Sequence, residues 1–198
     1  MKNFAEIGSI IGRPVIAVET ANRLGVVSDL IVDPHSGELA GLAIRRPDEN
    51  HSVVSIIDVH SVGPHAIMVD GERSLLLSGS QLNSLPKART DLIGVKVLTD
   101  QGQLLGKIFR VFIRLTPPHA FVYEFRSSIL DKLLGHALYF PASLGGALSA
   151  DTTAFVVNGD TGKMAHSLDF AAQQLSGAYD PRLCQPSGLR IEVRTHTQ

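Results

Sequence analysis

The side chains that could carry out chemistry are numerous but poorly grouped. Eight histidines, His35, His51, His60, His65, His119, His136, His166 and His196, are scattered along the chain, and the closest pair, His60 and His65, straddles Gly63-Pro64. Zinc wants three or four closely spaced His, Cys or carboxylate ligands, and the one thiol is Cys184. No metal site and no cofactor is assigned. Serine and aspartate are common, yet no Gly-x-Ser-x-Gly elbow presents a nucleophile. Gly145-Gly146 and Gly102-x-x-x-Gly106 lack the Lys-Ser or Lys-Thr that would make a phosphate loop. A small-molecule or enzymatic site would have to gather around His136 and Tyr139, the weakest of the readings. The expectation is therefore that the chain is not an enzyme and works by binding.

The remaining chemistry lies in charges on two strands, whose meaning depends on the elements that carry them. The chain has 198 residues, 44% hydrophobic and 19% charged, with 18 basic against 19 acidic side chains. That composition buries a core and excludes disorder. A net charge of -1 removes the broad positive field of a non-specific nucleic-acid binder, so any such contact must be local. A single cysteine closes no intrachain disulfide, which points to a reducing, cytoplasmic setting. No apolar run reaches the roughly 18 residues of a membrane span.

Self-similarity organises the chain. Ile11-Gly12 recurs as Ile93-Gly94, and Leu24-Gly25 recurs at nearly the same offset as Leu105-Gly106. The first copy runs through Leu24–Asp33 to Ile67-Met68-Val69-Asp70-Gly71, the second through Leu105–Arg114 to Phe155-Val156-Val157-Asn158-Gly159. Each reads as short β-branched strands separated by Gly, Pro, Asn and Asp turns: Val15–Val18, Val26–Asp33, Leu39–Ile44, Ser52–Ile57 and Ala66–Asp70 in the first, with a hairpin at Pro34–Gly37. Short, evenly spaced strands with little helix argue for a small barrel. Leucine spacing over Arg126–His136 predicts a short helix inserted in the second copy, and Thr161–Ala178 a C-terminal helix. The segment Ser78–Asp91 has a linker's composition. The expected divisions are 1–85, 86–161 and 162–198.

On the Ile-Gly-x-x-Val opening, the Leu24–Asp33 strand, Gly37-Glu38-Leu39 and the closing Ile-x-Val, the chain resembles the PRC-barrel family in two copies. The second copy departs from the pattern by carrying Arg110 and Arg114 where acidic residues are usual. The resemblance implies a mainly β fold of two small SH3-like barrels in tandem, used as docking modules. Such modules serve the cytoplasmic part of the photosynthetic reaction-centre H subunit and the C-terminal domain of a ribosome maturation factor.

Aligning the copies sets Asp29 opposite Arg110, Ile31 opposite Phe112 and Asp33 opposite Arg114. Strand alternation puts each trio on one face, with Leu30 and Val32, or Val111 and Ile113, facing the core. These six residues are the candidates for inter-repeat packing, with Ile31 against Phe112 and the aspartates near the arginines, or for partner binding. The plain alternative is that each charge is solvated and each apolar residue packs on the loops of its own unit. The function expected is a non-enzymatic adaptor for a protein partner. The alternative is an RNA- or ribosome-associated factor using the second copy, whose residues 86–161 carry 8 basic and 6 acidic side chains. A homo-oligomer is compatible with either.

Overall fold

The computed structural model describes residues 4–77, 85–115, 121–126, 137–149, 151–157, 165 and 167–171. The chain is mainly β. Its strands are β1 (Phe4–Glu6), β2 (Pro14–Ala17), β3 (Arg23–Val32), β4 (Leu39–Arg45), β5 (His51–Ser55), β6 (Val59–Val62), β7 (Ile67–Val69), β8 (Leu75–Leu77), β9 (Lys96–Thr99), β10 (Leu104–Arg114), β11 (Phe121–Arg126), β12 (Leu138–Pro141), β13 (Gly146–Leu148) and β14 (Ala154–Val157). Valine, isoleucine and aromatic residues dominate them, as a pleated, half-buried surface favours.

Two sheets of seven strands repeat one plan. The first runs β6-β7-β2-β3-β4-β5-β8 and the second β13-β14-β9-β10-β11-β12 with β1 added beside β10. Each has one parallel junction, β7 to β2 and β14 to β9. The repeat extends to backbone detail. Gly12 and Gly94 have φ of +86° and +91°, and each donates its N–H to the long strand that follows, to Val27 O and Ile108 O. A side chain would be strained in that left-handed conformation, which accounts for the paired Ile-Gly signature.

The sheets are not independent. The segment that leads into each unit pairs with the long strand of the other. β1 lies antiparallel to β10 with Glu6 opposite Phe112, and Lys87 bridges Ile31 of β3. Lys87 follows Glu6 in the chain at the same offset by which Phe112 follows Ile31, so the exchange is itself part of the repeat. The division at residue 85 is thus crossed in both directions. The linker composition of Ser78–Asp91 does not give a linker beyond Leu85. Val32 N donates to Pro86 O, and residues Ala88–Leu92 form a wide helical turn against β3, because a polar stretch with the right acceptor beside it docks as readily as it loops.

One continuous apolar cluster draws from both units, from Ile10, Leu30, Leu42 and Ile67 in the first to Leu92, Ile108, Phe125 and Phe155 in the second. The β3–β4 hairpin reaches into the second unit. Tyr123 donates its hydroxyl to Gly37 O, Leu148 N donates to Pro34 O, and Gly37 faces the Phe155 ring so closely that a Cβ would sit 2.9 Å from it. Burying each such large side chain contributes about 1.5–3 kcal/mol, and two small barrels held apart would leave part of that surface in water.

Strand expectations hold with shifted ends. Ser52–Ile57 is strand only to Ser55, after which Ile56–Asp58 turns as a 3₁₀ segment. Residues 127–136, with the helix expected there and His136, lie outside the described residues, as do Cys184 and most of Thr161–Ala178. A helical turn at Leu168–Ala171 is described, and the Ser167 side chain caps it by accepting from Phe170 N.

Candidate interaction surface

Asp29 and Ile31 lie on the side of β3 opposite Leu30 and Val32, Asp33 follows directly after the strand, and all three are buried. Asp29 is 3% exposed. Its Oδ1 accepts from Leu30 N and Arg89 N at 2.8 and 3.0 Å, and its Oδ2 from Thr90 N and Thr90 Oγ1 at 3.2 and 2.8 Å. One carboxylate thus satisfies backbone donors of the turn that opens the second unit, a strong use of charge in a buried place. Ile31 packs with Ala43, Val53, Ala40 and Leu85. Asp33 accepts from His35 N to shape the hairpin. Burial, with Asp33 nearby, pushes the Glu38 carboxyl above its usual range.

The matching face of β10 is built differently. Arg110 donates through Nε and Nη2 to Glu124 Oε2, both at 2.7 Å, and its Nη1 lies 3.9 Å from Glu6. Glu124 is fully buried and holds a second guanidinium, Arg126, through Oε1. These hydrogen bonds raise the Arg110 pKa, while burial and the nearby Glu124 raise that of Tyr139. Phe112 packs with Phe4, Val122, Tyr139, Ala165, Leu168 and Ala171. Arg114 stands opposite Phe4 in register.

The six candidates therefore do not meet one another as the alignment suggested. Ile31 and Phe112 sit in separate clusters, and the described partners of Asp29 and Asp33 are backbone N–H groups and Thr90, not Arg110 or Arg114. The leading segment of the opposite unit occupies the ground beside each long strand, so the two faces cannot close on each other. Nor is Asp29 solvated.

Further along β10 the second unit leaves a face open. A bulge inserts Phe109 between Ile108, opposite Phe125, and Arg110, opposite Glu124. The extra residue is thrown outward, 44% exposed, and the Arg126 guanidinium lies 3.6 Å from its ring centroid. Beside it, register lines up Arg126, Lys107, Lys96 and Ala154 across β11, β10, β9 and β14. Two residues on along β9 and β14, a second row runs Leu104, Leu98, Val156 and Ala147 across β10, β9, β14 and β13. Leu104 is 56% exposed, and Val156 and Ala147 are exposed too. Val97, Ile108, Phe155 and Val157, which alternate with these rows, fill the core, so the rows mark the outer face.

The PRC-barrel domain model matches residues 2–76. That span ends with β8, at the close of the first repeat. The first unit is a PRC-barrel domain. No curated protein matches the chain. The second unit lies outside the match; it repeats the strand order and glycine conformations of the first. Shallow grooves on the PRC barrel meet at Arg23 and Arg46, but Arg23, Arg45 and Arg46 are balanced there by Asp48, Glu49 and Glu72. Among the described residues no group of three or more His, Cys, Asp or Glu is placed to hold a metal, and no helix is long and apolar enough to cross a membrane.

Sequence reasoning passed over Glu124, Phe109 and the two rows. Glu124 interrupts the run Phe121-Val122-Tyr123-Glu124-Phe125, and an acid inside a strand that apolar is a signal that it needs a buried partner. Phe109 carried no signal, because a bulge shifts the alternation by one and simple counting then misassigns the face.

Proposed function

We propose that the chain is a non-enzymatic adaptor in which the PRC barrel is the fixed scaffold and the outer face of the second unit holds a protein partner. The observation that carries this reading is Phe109, an aromatic ring set outward by a bulge, with Arg126 stacked on it and uncovered lysine and leucine rows alongside. Arginine and aromatic side chains dominate the residues on which protein interfaces depend. Folding gains little from a half-exposed phenylalanine, whereas a partner that covers it gains the full transfer energy.

The test is a photo-crosslinking phenylalanine analogue placed at position 109 of the full chain in its native cells, with Ile57, 67% exposed on the PRC barrel, as the comparison site. The reading expects one protein adduct from position 109, unaffected by nuclease, and none from position 57. Adducts to RNA, or ribosomal proteins lost on nuclease treatment, would replace it with the nucleic-acid alternative.

A further inference from the structure

We infer that the segment this face receives is an acidic amphipathic helix laid across the strands; the inference rests on the adaptor reading and adds the chemistry of the partner.

The two rows set the requirement. Each runs across four strands, perpendicular to them, and at a strand spacing of about 4.8 Å each is about 14 Å long. A ligand that follows a row must cross the strands, so it is not an added β-strand, which would run along an edge. About ten residues of α-helix, at ~1.5 Å each, cover that length. The rows lie two residues apart along β9 and β14, roughly 6.7 Å, which is the offset between the apolar stripe of a helix and its flank. An apolar stripe seated on Leu104, Leu98, Val156 and Ala147 therefore brings one flank over Lys96 and Lys107, with Arg126 one strand beyond its end.

Charge decides what that flank carries. Arg110 and Arg126 are already answered by the buried Glu124, with Glu6 also beside Arg110. Lys96 and Lys107 are exposed, face each other in register, and have no ion pair among the described residues. Like charges directly opposite on a sheet repel, so the pair is better accommodated with a partner than without one. Glutamates or aspartates one turn apart on the helix flank meet both. A nucleic acid would leave the leucine row covered by nothing suited to it, since Phe109 is the one exposed aromatic among the described residues of this face and lies at the far, basic side.

The experiment is a fluorescence-anisotropy titration of the full chain. The probes are a lactam-stapled, 14-residue helical peptide with leucines on one face and glutamates on one flank, the same peptide with lysines for the glutamates, and a 12-nucleotide single-stranded RNA. The acidic peptide is expected to bind at least about ten-fold more tightly than the basic one. Lys96→Glu with Lys107→Glu should reverse that preference, and Leu104→Ser should weaken the acidic peptide about five-fold, as a partly exposed methylene-rich contact allows. All these positions are exposed, and unchanged thermal melting would certify the variants. Equal binding of the two peptides, no binding, or tighter binding of the RNA overturns the inference. If position 109 still crosslinks a protein in cells while the acidic peptide fails, the inference falls and the adaptor reading stands. If the peptide binds but position 109 captures no protein, the adaptor reading is the part that fails.

Discussion

Asp29 and Arg110 occupy the same place on the long strand of each repeat and have opposite fates. The aspartate is sealed under the turn at Ala88–Leu92, feeding its backbone N–H groups. The arginine is half-exposed and anchored to Glu124, which stands where the first unit has Ala43. The bulge just before each is also shared, yet it carries Ser28 in one unit and Phe109 in the other. A duplicated sheet thus keeps its backbone irregularities and changes what they present. One outer face is spent on holding the two units together, and the other is left exposed.

The largest effect should come from the closed side. Asp29→Ala removes the buried carboxylate that accepts from Leu30 N, Arg89 N and Thr90, and should cost about 3 kcal/mol, read by urea unfolding. On the other face, Arg110→Met leaves Glu124 buried with one guanidinium and should cost about 2 kcal/mol, while Arg110→Met with Glu124→Leu should cost less than the single change, because it removes the stranded charge as well as its partner. A double cost equal to or above the single would place the stabilisation in the ion pair itself.

Smaller changes sharpen the same contrast. Tyr123→Phe removes the hydrogen bond to Gly37 O between the units and should lower stability by about 1 kcal/mol. Glu38 has its pKa raised in the folded state by burial and by Asp33, so its ionised form opposes folding at neutral pH and the opposition fades as pH falls through the raised pKa. Glu38→Gln should therefore melt higher than the parent at pH 7, with the difference shrinking towards pH 4. Phe109→Ser should change stability by less than about 0.5 kcal/mol, since the ring is half-exposed, and yet abolish partner capture.

Much of the fold was legible because duplication writes the same punctuation twice. Ile-Gly and Leu-Gly mark a strained turn and a strand entry in each unit, and the alternation along Val26–Asp33 separated core from outer face correctly for Leu30 and Val32. What the outer face does was not legible. Nothing local in Phe4–Glu6 or Leu85–Lys87 says that each will pair with the far unit, since pairing is decided by tertiary proximity rather than by propensity. That exchange is what buries Asp29 and Ile31. Where the alternation slips, at the bulge before Arg110, the sequence pattern hid the residue on which the functional reading now rests.

The central claim is that recognition belongs to the open face of the second unit and not to the matching face of the PRC barrel. Amide hydrogen exchange of the whole chain, free and saturated with the protein captured at position 109, measures this directly. Slowed exchange within residues 96–110 and 147–156, with 26–33 unchanged, is the predicted result. Protection confined to 26–33 or to the PRC barrel, with 96–110 unaltered, would contradict it.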